Sequence, residues 1–182
     1  LTSVGVLLLC FGLLQCGTSN SPDDQRPNVI LIMADDLGYE TIQANGGTSY
    51  QTPAIDQMAA DGIRFEHCYA QPLCTPSRVQ IMTGIYNVRN YIKFGILDTA
   101  QTTFGHLLQE AGYQTCIVGK WQLGKDPMSP RWAGFQEHCL WQVTKGRIDS
   151  TGRDTRFSEP VLETNGELKP FAKDQFGPRA GS

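Results

Sequence analysis

The segment from Asn28 to Ala34 is dominated by the unbroken apolar run VILIMA, and it ends in two adjacent carboxylates, Asp35 and Asp36. Such a run reads as a strand buried on both faces, which needs a layer above it and a layer below. The chain that follows supplies both. Thr52 is placed to cap a helix and Pro53 suits its first turn, with Ile55, Met58, Ala59 and Ile63 as its apolar stripe and Gly62 as its end. Phe65 to Tyr69 reads as a short strand, and Thr75 and Pro76 start a second helix through SRVQIMTG, residues 77–84. Thr102 caps a third helix, with Phe104, Leu107, Leu108 and Ala111 facing inward and Gly112 closing it. Tyr113 to Val118 returns as a strand, and Gly134 to Trp141 as another. Strands alternating with helices imply an α/β fold: a mixed, mostly parallel sheet sandwiched by helices. No internal repeat is visible, and beyond about Lys145 the pattern fades into polar, turn-rich sequence.

The 182 residues are enough for one modest domain, and 40% hydrophobic with 18% charged is ordinary globular composition. A net charge of −3 without a long basic run argues against nucleic acid as partner and leaves room for a small anionic substrate. VGVLLLCFGLL, residues 4–14, is too short to span a bilayer and suits the apolar part of a secretory signal. LLQC, residues 13–16, resembles a bacterial lipoprotein cleavage box with Cys16 as the lipid-bearing residue; ordinary signal cleavage nearby is the alternative. The expected organisation is an export segment over 1–16, a polar tether over 17–27 and a folded part over 28–182. The expected location is outside the cytoplasm: periplasmic, anchored to the outer membrane as a lipoprotein, or secreted. Of the six cysteines, Cys10 and Cys16 belong to the export segment. Cys68, Cys74, Cys116 and Cys139 match no zinc spacing, and free thiols are the expectation.

Four features carry chemistry. Successive strand residues point to opposite faces, so Asp35 and Asp36 can serve one site only where the strand ends and turns, as Gly38 permits. Crowded carboxylates repel unless a cation neutralises them, and hard oxygen donors suit Ca²⁺ or Mg²⁺; alternatively one Asp caps the following turn and the other is solvated. Cys74 sits just before a helix N-terminus, where anions and thiolates are favoured, and Arg78 lies one turn further on. A cysteine phosphatase loop needs five residues between Cys and Arg, and here there are three. A buried structural cysteine remains the alternative. Lys120 follows the strand CIVG and can reach an anion at the sheet edge, or stand as a surface lysine. Together they describe one site suited to displacement at phosphorus or sulfur.

RPNVILIMADDLGYE (26–40), TPAIDQMAADGIRFEHCYA (52–70), CTPSRVQIMTG (74–84) and AGYQTCIVGKWQLG (111–124) resemble the N-terminal part of the type I sulfatases, in the alkaline phosphatase superfamily. YNVRNY (86–91) and GFQEHCLWQ (134–142) further resemble a bacterial arylsulfatase-like branch. The resemblance implies a sulfuric ester hydrolase in which Cys74 is oxidised to formylglycine by a generating enzyme that reads Cys74, Pro76 and Arg78. One hydroxyl of the hydrated aldehyde attacks sulfur, and the second allows sulfate to be expelled. It further implies Asp35, Asp36 and residue 74 as metal ligands, usually to Ca²⁺, with Mg²⁺ as the other hard cation. Arg78 holds the hydrated aldehyde, and Lys120 and Gln122 face the sulfate of a sulfated glycan or aryl sulfate.

Two departures stand out. The family's GKWHLG is here GKWQLG, so Gln122 can hydrogen-bond but cannot shuttle a proton. The remaining metal ligands, a second Lys and a leaving-group His of the family find no match by residue 182, so the chain reads as an N-terminal fragment, inactive alone. His138 reads as structural. Two other readings stay open: a phosphodiester or phosphonate hydrolase of the same superfamily, and a non-catalytic binder of sulfated glycans.

Overall fold

The computed structural model describes residues 26–141, 143, 151–152 and 160–171. The export segment and Cys16 lie outside them. The chain divides into two units, Leu1–Ala34 and Asp35–Ser182. In the first, the described residues 26–34 carry no regular structure, and Val29, Ile30, Leu31 and Ile32 are exposed. This corrects the expectation of a buried strand there. Apolarity states that a segment favours burial, but a strand also needs a neighbour to pair its amides and carbonyls.

The second unit is built on a four-stranded mixed sheet. β1 (Cys116–Lys120) pairs in parallel with β2 (Glu137–Trp141), β2 pairs antiparallel with β3 (Val161–Thr164), and β3 antiparallel with β4 (Glu167–Pro170). Mixed pairing and flanking helices agree with the expected class, although one of these three pairings is parallel. The β3–β4 hairpin was not foreseen. Its turn is Asn165-Gly166, both at positive φ (51° and 91°), the geometry that a two-residue hairpin loop demands.

The helices are α1 (Pro53–Asp61), α2 (Cys74–Thr83), α3 (Asn87–Asn90), α4 (Phe104–Glu110) and α5 (Ser129–Trp132). α1 starts at Pro53 and ends at Gly62 as read, but Ile55 and Met58 on its apolar stripe are exposed. Thr52 does not cap it with its side chain. Its hydroxyl instead donates to Asp56 Oδ1 (3.0 Å) and accepts from the Gln43 amide (3.0 Å), tying α1 to the short 3-10 turn Gln43–Asn45. α2 begins one residue earlier than expected, with Cys74 in its first position. α4 is capped by Thr103 rather than Thr102: Thr103 and His106 form a reciprocal capping box. Leu107, expected inward, is exposed. Phe65–Tyr69 is not a strand; it is exposed and unladdered.

The core gathers Val79 and Met82 of α2, Leu97, Trp121, Leu123, Ala133, Phe135, Leu140 and Val143, with Ile117, Phe104 and Tyr91 packed against it. α4 approaches the turn after α5 so closely that a Cβ on Gly105 would meet the Ala133 carbonyl oxygen at 2.6 Å. The Thr103 hydroxyl donates to that same carbonyl at 2.6 Å, which fixes α4 in place. The result is a rigid frame holding α2 beside the C-terminal end of β1.

Candidate active site

Four short segments meet at the end of β1, one of them the Asp35–Asp36 turn. The first is the start of α2. Thr75 is fully buried and its hydroxyl accepts from the Gly95 amide (3.2 Å). The Ser77 hydroxyl accepts from the Gln71 amide (3.0 Å) and donates to the Leu73 carbonyl (3.0 Å). Asn87 Nδ2 donates to the Pro76 carbonyl (3.1 Å). The intervening letters of CTPSR therefore anchor the helix end, a role that the sequence left unread. Leu73 offers no side-chain cap.

Arg78 lies one helical turn beyond Cys74, on the same face. Its side chain is 10% exposed, and its fork is divided between two acceptors. Nη1 donates to the Lys120 carbonyl (2.7 Å) and Nη2 to Asp35 Oδ1 (3.3 Å). The second segment, the end of β1, thus contributes a main-chain acceptor as well as a side chain. Lys120 Nζ donates to Asp35 Oδ2 at 2.7 Å. Each oxygen of Asp35 therefore faces a cation. Burial pushes the Asp35 carboxyl up, but hydrogen bonding and charge from Lys120, and then from Arg78, outweigh it and hold the group below its ordinary value.

The third segment follows β1 directly. Gln122 takes the left-handed conformation (φ 55°) and lies between two buried neighbours, Trp121 and Leu123. Its Oε1 accepts from Cys74 Sγ at 2.8 Å. Asp36 is also left-handed (φ 56°), so the chain turns sharply just after Asp35.

The structure therefore brings together Asp35, Arg78 and Lys120 in one network, and joins Cys74 to Gln122 beside it. Asp36 adjoins the network through the backbone alone. Asp35 and Asp36 are the oxygen donors that Ca²⁺ or Mg²⁺ favours, and Asp35 already attracts positive charge. They fit as part of a coordination shell: among the described residues no group of three or more His, Cys, Asp or Glu side chains converges to complete one. A surface hollow between α2 and α4, lined by Ile81, Met82, Phe104, Leu107 and neighbours, holds no titratable group. His138, read as structural, is buried in β2 with Nε2 4.0 Å from Glu163 Oε1.

Comparison with known proteins is consistent with this arrangement. Residues 27–160 match the family model described as Sulfatase. The chain is 37% identical over 147 residues to an N-acetylglucosamine-6-O-sulfatase of Bacteroides thetaiotaomicron, covering 77% of this chain and 24% of that protein. It is 38% identical over 136 residues to human arylsulfatase H, covering 66% of this chain and 23% of that protein. A protein solved in complex with its substrate D-glucosamine-2-N,6-O-disulfate superposes with a TM-score of 0.68 at 33% identity, over 81% of this chain and 28% of that one. The chain thus spans about a quarter of the length of the curated relatives it matches. A family match over most of the chain and a shared alkaline phosphatase-like α/β fold settle its kinship: the chain belongs to the sulfatase family.

Proposed function

We propose that this chain forms the N-terminal part of the active site of a sulfuric ester hydrolase acting on sulfated glycans or aryl sulfates. The observation that carries the reading is the division of Asp35 between Arg78 and Lys120, next to Cys74 at the start of α2. A sulfate ester carries one negative charge, spread over its non-bridging oxygens, and as the S–O bond to the alcohol breaks the bonding electron pair leaves with the departing oxygen. Lys120 is the mobile cation of the site: its long stem lets the ammonium leave Asp35 for an incoming sulfuryl group. Arg78 is fixed by the Lys120 carbonyl and keeps a permanent charge under residue 74. Arg78 is placed before the substrate arrives and only the Lys120 ammonium moves to meet it, so little further reorganisation is needed during the reaction.

Formylglycine made from Cys74, once its aldehyde has added water, would supply the nucleophilic hydroxyl that a thiol side chain lacks. Asp35, Asp36 and residue 74 would hold a divalent cation, Ca²⁺ or Mg²⁺, whose charge would neutralise sulfuryl oxygens. The reading includes a formylglycine-generating enzyme as maturation partner and an exported protein, with Cys16 as a lipid attachment point. Glycan sulfates are favoured as substrates because relatives are named for 6-O-sulfated amino sugars. The isolated 182 residues are proposed to be inactive, since the described part gathers no complete metal-ligand group.

The test is hydrolysis by the full-length protein, produced together with a formylglycine-generating enzyme. Aryl sulfate turnover is expected, falling by at least roughly a thousandfold in Cys74→Ala. Preference for an aryl phosphodiester would move the protein to phosphoryl chemistry. Binding of a sulfated glycan without hydrolysis would make it a non-catalytic binder.

A further inference from the structure

We infer that the His106 ring is a proton-sensitive latch in the frame behind the site: neutral, it ties the start of α4 to the end of α5, and a proton on Nδ1 undoes the α4 side of that tie. Hydrogen bonds to the main chain leave the ring one form. Nδ1 lies 3.0 Å from the Thr103 amide nitrogen, which can only donate, so Nδ1 accepts and carries no hydrogen. Nε2 lies 2.8 Å from the Trp132 carbonyl oxygen, which can only accept, so Nε2 carries the hydrogen. The ring is thus the neutral Nε2–H tautomer, shared between two helices.

A proton added at Nδ1 turns that acceptor into a second donor. It can at most turn to the Thr103 hydroxyl, 3.2 Å away, and it leaves the Thr103 amide facing a donor in a residue that is 1% exposed. The bond from Nε2 to Trp132 survives and gains from the charge. The other charged residues of the two helices, Glu110 one turn further along α4 and Arg131 beside Trp132 in α5, are of opposite sign. A glutamine would close the same capping box with an acceptor that does not titrate; the histidine makes the cap conditional on pH.

Thr103 is where the latch meets the frame of the site. Its hydroxyl donates to the Ala133 carbonyl (2.6 Å), and Thr103, Trp121, Ser129, Trp132 and Ala133 line one small hollow. The Trp121 indole donates to Ser129 Oγ (2.8 Å), and Trp121 stands between Lys120 and Gln122 in the chain. Loosening Thr103 therefore slackens the packing under Trp121. The latch rests on geometry alone; its effect on turnover rests on the sulfatase reading above.

The two are separable by experiment. In the full-length protein, deuterium uptake by the peptide carrying Thr103 is compared at about pH 7.5 and about pH 5.5, on either side of the range in which histidines commonly gain charge, and corrected for the intrinsic exchange rate. Protection in the parent is expected to be roughly three- to tenfold lower at the acid pH. In His106→Gln, which keeps the box and every other titrating group, it is expected to stay within about twofold. An equal pH response in parent and variant overturns the inference. Should His106→Gln fail to fold, nitrogen-15 labelling of the parent's histidines decides alone: the neutral Nε2–H tautomer of His106 is expected at the higher pH, and the Nδ1–H tautomer or a charged ring there overturns the latch. In matured protein, the ratio of kcat at the higher pH to kcat at the lower is expected to be at least about twofold larger in the parent than in His106→Gln. Equal ratios overturn the link from latch to site. A protein that hydrolyses no sulfate ester but whose exchange still responds retains the latch and loses the sulfatase reading.

Discussion

Lys120 Nζ and Asp35 Oδ2 lie 2.7 Å apart, and the carbonyl of the same lysine accepts from the guanidinium that reaches the other oxygen of Asp35. One carboxylate thus keeps two cations from repelling each other at the end of β1. In Asp35→Asn the two positive groups remain and the neutral amide cannot accept from both. The Asp35 side chain is 30% exposed, so solvent screens part of the loss, and a destabilisation of about 0.5–1.5 kcal/mol is expected. Urea unfolding of the variant against the parent checks it; equal midpoints would show that the network contributes nothing to folding.

His138 makes a pH prediction with a definite sign. Burial chiefly lowers its proton affinity; Glu163 opposes this, Arg131 reinforces it and Glu137 opposes it, and the net direction is down from 6.5. The unfolded chain therefore takes up a proton where the folded chain resists it. Stability is full above about pH 6.5 and falls as pH drops below that, by at most about 1.4 kcal/mol per pH unit for one proton. Thermal melts at pH 7.5 and 5.5 check this. His138→Gln, which stays polar without titrating, is expected to show a smaller drop between the two.

The hairpin turn gives a third test. Asn165 holds φ 51° and also ties β2: its Oδ1 accepts from the His138 amide (2.8 Å) and its Nδ2 donates to Glu137 Oε2. Asn165→Ala loses both bonds and strains the turn, an expected cost of about 1–3 kcal/mol by chemical denaturation. Asn165→Gly loses only the bonds, so the difference between the two variants isolates the backbone term.

That turn also shows where the sequence was legible and where it was not. Asn165-Gly166 between VLET and ELKP is a strong hairpin signal, but both flanks mix charge with few apolar residues and so resemble a loop. α1, α2 and α4 were readable because Pro53, Pro76 and Gly112 punctuate them, although periodicity did not distinguish Thr102 from Thr103 as cap. At the site, residue types announced Asp35, Cys74, Arg78 and Lys120. No pattern in one dimension could announce that Arg78 would donate to the main chain of Lys120, or that Asp35 would be shared. Gln122 was reached through the resemblance of GKWQLG to the family's GKWHLG, and its hydrogen bond with Cys74, 48 residues away in sequence, was not legible there.

Maturation of position 74 is checked by mass. When the chain is produced with a formylglycine-generating enzyme, the tryptic peptide carrying residue 74 is expected to lose roughly 18 Da, the replacement of a thiol by an aldehyde. A peptide of unmodified mass, from a host in which a known substrate of that enzyme is converted, would remove the nucleophile from the proposed mechanism.

Arg78 separates charge from geometry. A lysine at this position keeps the positive charge but has a single nitrogen, which cannot donate to the Lys120 carbonyl and to Asp35 in the directions the guanidinium fork spans. Because the side chain is 10% exposed, whichever acceptor is abandoned loses its partner where water is scarce. Arg78→Lys is therefore expected to cost about 1–3 kcal/mol in urea unfolding. The same variant assayed for conversion of residue 74 divides two further effects. Intact conversion with kcat/KM reduced by at least roughly tenfold assigns the loss to the site, and absent conversion assigns it to maturation. Parental stability together with parental turnover would show that charge alone suffices at position 78.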